Sequence, residues 1–246
     1  MLCLVGLGLA TERDLSLRAF NVLAGCDVVY LEGYTGVFDR LSELEDLLDR
    51  SIHVLSRQEV ESSPELIERA RKHNVALLVQ GDPFSATTHV SLILDCVDAG
   101  VKYLVVNSSS VFSGVARTGL SLYKFGKTAS IPFPGKNFKP DSFLRVISDN
   151  LKIGAHTLCL LDVESDAHDF MTIPEAVRII ERADKKDSLD YRWVGCARLG
   201  FPDEVVKWVK PSTLKRFDWP AAPHCLVIPS KKLHFMEKEA LKMLSD

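Results

Sequence analysis

Val75-Ala76-Leu77-Leu78-Val79-Gln80-Gly81-Asp82-Pro83-Phe84-Ser85-Ala86-Thr87-Thr88-His89 is an apolar run that breaks into a polar loop, and its reading decides the fold. Five apolar residues in a row, with no polar alternation, mark a strand covered on both faces, as in parallel sheets flanked by helices. Gly81-Asp82-Pro83 makes a rigid turn that presents a carboxylate and backbone amides, and the threonine pair can supply hydroxyls and start the next helix. Open α/β sheets take their ligands at the carboxyl ends of strands, which is where this loop lies. A loop in which Asp82 only bonds its own turn is the competing account.

Upstream, the apolar runs 2–7, 28–31 and 52–55 alternate with the amphipathic stretches 15–23, 41–48 and 64–72. That rhythm is βαβα, and it continues to a strand at 103–106. Ser62-Ser63-Pro64-Glu65 reads as a capping box opening the helix 64–72. After the polar break Asn107-Ser108-Ser109-Ser110 the glycines 114, 119 and 126 follow at short intervals, so the domains are expected to be 1–112 and 113–246. The second half reads as a strand at 129–132, a Pro/Gly loop through Pro140, a helix 141–151 and a strand 156–161. A capping box at Thr172 and Glu175 opens a helix 175–182, followed by strands 193–198 and 225–229 and a helix 235–244. The expected fold class is α/β in two domains, the first a mostly parallel sheet and the second a mixed one.

Composition narrows the function. Net charge is −3 with both signs interspersed, which leaves no clustered Lys and Arg for a nucleic-acid backbone. Cys3, Cys26, Cys96, Cys159, Cys196 and Cys225 form no CxxC pair and no His/Cys cluster with metal spacing, so they read as small buried apolar residues and no metal is expected. The opening MLCLVGLGLA has no basic flank and runs into Thr11-Glu12-Arg13-Asp14, which fits neither a secretory signal nor a membrane span. The expected setting is reducing and cytoplasmic.

Gly6-Leu7-Gly8-Leu9-Ala10 follows the first strand, where glycines let the backbone turn tightly and approach a ligand. The third glycine of a dinucleotide fingerprint is replaced by Thr11, so the stretch fits a ligand loop and a plain turn equally. His89, His156 and His224 border apolar runs and read as satisfied structural histidines. Asp162 and Glu164 close the strand 156–161, and acid/base work by this pair depends on geometry. Trp193, Trp208 and Trp219 lack helical spacing and read as core.

Several stretches together resemble the diphthine synthase family, a branch of the tetrapyrrole-methylase class of methyltransferases: MLCLVGLGLA, VYLEGYT at 29–35, GDPFSATTH at 81–89, TGLSLYKFGKTASI at 118–131 and HTLCLLD at 156–162. The resemblance spans nearly the whole chain. It implies two α/β domains of the tetrapyrrole-methylase type, with S-adenosylmethionine bound in the cleft between them as methyl donor and S-adenosylhomocysteine as product. It also implies a homodimer whose protein substrate is translation elongation factor two, with no nucleic acid and no membrane in the reaction. The target would be a histidine carrying a 3-amino-3-carboxypropyl group, whose nitrogen is methylated repeatedly. Carried over by motif, the cofactor positions are Leu9, Asp82, Ser85, Ser110, Val111, Leu161, Leu199 and His224. No catalytic residue follows from the resemblance, because methyl transfer to an amine needs positioning more than a dedicated nucleophile. Asp162 and Glu164 are candidates to receive the cationic amine. A tetrapyrrole or other small-molecule methyltransferase of the same fold, and a nucleotide-binding or scaffolding module without catalysis, are the alternatives.

Overall fold

A computed structural model describes all residues except 37, 63, 136–139, 165–168 and 246. The chain divides into two units, Met1–Val111 and Phe112–Asp246. The first holds β1 (Leu2–Gly6), α1 (Leu17–Ala24), β2 (Val28–Glu32), α2 (Leu41–Leu48), β3 (His53–Leu55), α3 (Arg57–Glu61), α4 (Glu65–Lys72), β4 (Val75–Val79), α5 (Val90–Asp98) and β5 (Tyr103–Val106), with α6 (Val111–Gly114) across the boundary. Its strands run in the order β3-β2-β4-β1-β5, all paired parallel.

Alternate residues of these strands serve opposite faces. Leu2, Leu4, Leu77 and Val79 pack with Leu66 and Ile67 of α4 and Leu92 and Cys96 of α5. Cys3, Val5, Ala76 and Leu78 pack with Ala19 and Leu23 of α1 and Leu44 of α2. This double burial is why the run 75–79 carries no polar residue. The chain leaves β1 through α1 toward β2 and leaves β4 through α5 toward β5, on opposite faces, as right-handed crossovers in opposite directions require. Because β1 and β4 are neighbours, their exits diverge at a topological switch point, where such sheets open a ligand crevice.

The second unit holds β6 (Ala129–Ile131), α7 (Ser142–Ile153), β7 (Thr157–Leu161), β8 (Val163–Glu164), β9 (Asp169–Phe170), α8 (Ile173–Ala183), β10 (Trp193–Ala197), β11 (Val205–Val209), α9 (Pro211–Leu214), β12 (His224–Ile228) and α10 (Phe235–Lys242). The order β11-β10-β12-β7-β6 is antiparallel except for the parallel β6–β7 pair, so the sheet is mixed. Phe143 and Ile147 of α7, Ile173, Val177 and Ile180 of α8, and Trp193, Leu226 and Ile228 of the strands form its core.

Two sequence expectations need correction. Ser62 ends α3 instead of capping α4, whose N-cap is Pro64 with no side-chain bond. The box sits at Ser56 and Glu59, where the Glu59 carboxylate accepts the Ser56 amide at 2.8 Å. Nothing in the pattern reading anticipated β11, where Lys207 interrupts the apolar run on an edge strand. The box at Thr172 is present, with Glu175 accepting the Thr172 amide at 2.8 Å. Part of the Pro/Gly loop falls on 136–139, outside the described residues.

Candidate functional site

Three loops meet at the carboxyl ends of β1, β4 and β5. Gly8 and Gly81 exchange backbone hydrogen bonds, the Gly8 amide reaching the Gly81 carbonyl at 3.2 Å and the Gly81 amide reaching the Gly8 carbonyl at 2.9 Å. Both have positive φ, 91° and 78°, open to glycine without strain. A Cβ on Gly6 would lie 2.6 Å from the Gly81 carbonyl oxygen and 2.7 Å from the Ser108 Cβ, so only hydrogen there lets the loops close on one another. Gln80 donates its amide to the carbonyls of Gly8 at 3.2 Å and Leu9 at 2.9 Å. Thr11, in place of a third glycine, caps a 3₁₀ turn at Glu12–Asp14, and the Asp14 carboxylate accepts the Ala10 amide at 2.7 Å. The first loop therefore enters a self-capped turn and not the phosphate-facing helix start of a dinucleotide site.

Asp82 ties its own loop to the one that follows β5. Its Oδ1 accepts the Phe84 amide at 3.0 Å and the Ser85 hydroxyl at 3.2 Å, and its Oδ2 accepts the Asn107 side-chain amide at 3.0 Å and the Ser108 amide at 3.1 Å. Burial pushes this carboxyl up, but the four hydrogen bonds outweigh burial and hold it below the usual carboxylate value. With the carboxylate engaged, the loop offers a ligand its backbone and its shape. Ala86 has φ of 62°, an uncommon conformation for a residue with a Cβ. Leu9, Asp82, Ser85, Ser110 and Val111 all stand on these three loops or at the start of α6. Ser110 is buried and Leu9, Ser85 and Val111 are half-buried.

A second polar group, missed by the pattern reading, lies at the same sheet edge. Glu32 ends β2, and its Oε1 accepts the Thr35 hydroxyl. His89 is 1% exposed; its Nδ1 lies 3.2 Å from the Pro83 carbonyl, and its Nε2 lies 3.2 Å from both the Tyr34 hydroxyl and Glu32 Oε2. Although Oε2 is within ion-pair reach of His89, its geometry gives no hydrogen bond. Among the described residues, Glu32 Oε2 and Gln80 Oε1 are the buried side-chain acceptors left without a hydrogen-bond partner. Both belong to the carboxyl edge of the parallel sheet. Burial first, then the Glu32 and Glu61 carboxylates, push the Tyr34 phenol well up, so it keeps its proton.

In the second unit the remaining carried-over positions share one end of the mixed sheet. Leu160 pairs with Cys225 and Ala197 with His224, which puts Leu161, His224 and the segment leading to Leu199 along that edge. His224 accepts the Ile173 amide on Nδ1 at 3.3 Å and donates from Nε2 to the Pro220 carbonyl at 2.8 Å. Burial lowers its pKa, so it stands as the neutral Nε2–H tautomer. Asp162 accepts the Phe133 amide at 2.8 Å and its neighbour Val163's at 3.0 Å, so both its oxygens serve the local backbone. The Glu164 side chain lies outside the described residues. A cavity of about 440 Å³ lined by Asp190, Tyr191, Arg192 and Trp208 contains none of the carried-over positions.

Residues 1–215 match the family of tetrapyrrole (corrin/porphyrin) methylases. A diphthine synthase of Methanocaldococcus jannaschii is 40% identical over 100% of this chain and 99% of its own length. One of Methanococcus maripaludis is 38% identical over 99% and 98%. A solved diphthine synthase structure superposes with a TM-score of 0.90 at 36% identity, covering 100% of this chain and 96% of the other.

Proposed function

The chain belongs to the diphthine synthase family within the tetrapyrrole-methylase class of methyltransferases, and from that premise we propose that it transfers methyl groups from S-adenosylmethionine to the 3-amino-3-carboxypropyl-histidine of translation elongation factor two. The observation that carries this reading is the triple loop at the switch point, closed by the Gly8–Gly81 pair and riveted by Asp82. Leu9, Asp82, Ser85, Ser110 and Val111 of the first unit, with Leu161, Leu199 and His224 of the second, would hold the cofactor. The fit is steric and chemical: hydrogen at Gly6 lets the loops close on one another, and Gln80 Oε1, a buried acceptor without a hydrogen-bond partner beside the first loop, suits a ligand that donates hydrogen bonds, as an ammonium or a ribose hydroxyl does. We place the reaction in the cytoplasm and infer a homodimer, with no nucleic acid or membrane involved; no helix among the described residues is long and apolar enough to cross a bilayer.

When bound, S-adenosylmethionine supplies a methyl group on a sulfonium sulfur. The chain's own task is to exclude water and aim a neutral amine at that carbon. An aliphatic amine is mostly protonated near neutral pH, with a reference value of about 10.4, and an apolar setting favours its neutral form. With its oxygens on backbone amides, Asp162 is fixed in place, and its charge can attract the substrate cation before deprotonation. Unaltered methylation by Asp162→Asn would remove that role.

Incubating the chain with the modified elongation factor and S-adenosylmethionine should add mass to the factor in whole methyl steps, read by mass spectrometry. Failure with the factor together with transfer to a tetrapyrrole acceptor would replace this reading by the small-molecule alternative.

A further inference from the structure

His89 closes the GDPF loop from beneath. The Pro83 carbonyl accepts from the Thr87 hydroxyl and faces His89 Nδ1 at 3.2 Å. A carbonyl only accepts, so Nδ1 carries a hydrogen and donates it there. The opposite ring edge sits 3.2 Å from Tyr34 Oη and 3.2 Å from Glu32 Oε2. The Tyr34 ring is itself capped by the Arg57 guanidinium at 5.5 Å. His89 is thus fixed between the end of β2 and a loop carbonyl one residue after Asp82, and it is the residue just before α5. Its ring links the sheet edge to the segment from which Asp82 and Ser85 emerge.

We propose that His89 is a positioning residue for methyl transfer: through its Nδ1–H it sets the Pro83 carbonyl and thereby the course of the loop 81–89, while the Tyr34 hydroxyl holds the ring from the other side. This rests on the reading of that loop as part of the cofactor site. A plain packing role would need only the ring's bulk. A positioning role needs a donor at the place of Nδ1, and the two separate cleanly, because asparagine puts its amide nitrogen where Nδ1 stands and glutamine reaches only the place of Nε2.

His89→Asn, His89→Gln and His89→Ala in the full chain are therefore compared by calorimetric titration with S-adenosylmethionine, thermal melting, and amide hydrogen exchange at Phe84 and Ser85 without cofactor. His89→Asn is expected to bind within about twofold of the unaltered chain, and His89→Gln and His89→Ala roughly fivefold more weakly, the worth of one hydrogen bond on a carbonyl that Thr87 also holds. Melting temperatures of the asparagine and glutamine variants should fall alike, since both lose the ring. Exchange at Phe84 and Ser85 should be faster in His89→Gln than in His89→Asn. Equal affinities and equal exchange in those two variants, or affinities that simply follow melting temperature, would overturn the proposal. Should His89→Ala not fold, the asparagine and glutamine pair still decides. If the unaltered chain itself takes up no cofactor, the proposed function falls, and the exchange rates alone then decide whether His89 sets the loop.

Discussion

Each unit buries a glutamate against a histidine at nearly the same distance, Glu237 and His156 at 3.1 Å in the second, Glu32 and His89 at 3.2 Å in the first. The surroundings differ. Glu237 accepts from the Lys124 ammonium, the His156 ring and the amides of Ser121 and His234, while His156 accepts the Ser230 amide on its other nitrogen. Every polar atom of that hub is matched, and it knots the segment around Lys124, the start of β7 and the start of α10 into one piece. The Glu32 pair leaves an acceptor unmatched and reaches the loop 81–89 through the Pro83 carbonyl. A closed network fixes structure, whereas an open one beside a candidate site marks a place where stability was not the criterion.

Removing the hub's acceptor should have the largest effect. Glu237→Ala leaves the buried His156 N–H and two amides without their acceptor and takes the carboxylate from the half-buried Lys124 ammonium, and is expected to cost about 3–5 kcal/mol of stability. All three tryptophans, Trp193, Trp208 and Trp219, lie in the second unit, so urea unfolding followed by tryptophan fluorescence reads the loss there. A loss below about 1 kcal/mol would break the contrast.

Asp82 tests whether matching or location matters, being a fully matched carboxylate in the first unit. Asp82→Ala is expected to lower affinity for S-adenosylmethionine by more than about tenfold, because the loop 81–89 and the loop 107–110 lose their common acceptor. Calorimetry giving unchanged affinity would remove Asp82 from the proposed site.

The contrast also marks what a sequence can disclose. The β4 run and the GDPF loop announced themselves because burial on both faces and turn chemistry are written in neighbouring residues. Cap positions were harder: Ser56-Arg57-Gln58-Glu59 and Ser62-Ser63-Pro64-Glu65 carry the same S-x-x-E spacing, and only the first serine has the extended backbone a cap needs, with φ of −71° and ψ of 166°. The box at His234 and Glu237 escaped because histidine is not among the usual caps. Glu32 follows the apolar run 28–31, and nothing local says that its neighbour in space stands at position 89. Long-range pairs of this kind come from strand order β2-β4-β1, which periodicity alone does not give.

Acid should distinguish the hub with a smaller effect. Burial pushes the Glu237 carboxyl up, but Lys124, the amides of His234 and Ser121, and His156 together outweigh it and hold the group far below the usual carboxylate range. Its contribution is therefore complete above the unfolded value of about 4.3 and is lost as pH falls below it, since only the unfolded chain then binds the proton. Burial holds His156 below its ordinary value despite Glu237, so the unfolded chain also gains a proton there as pH drops through about 6.5. Both act in one direction, and the tryptophan-reported stability should decline from about pH 6.5 downward. Glu237→Gln should flatten the steeper part below about pH 4.3, and parallel curves for the two proteins would refute the assignment.

The smallest expected effect has the opposite sign. Glu32→Gln keeps the side-chain shape and the acceptor that Thr35 bonds, and it replaces the unmatched oxygen beside His89 by a donor. A buried charge without adequate partners disappears, so stability should hold or rise by up to about 1 kcal/mol, whereas Glu237→Gln must lose. Thermal melting of the two glutamine variants side by side reads the sign directly. A clear fall for Glu32→Gln would mean that His89 holds Glu32 as a charged pair, and that the two units differ in location but not in kind.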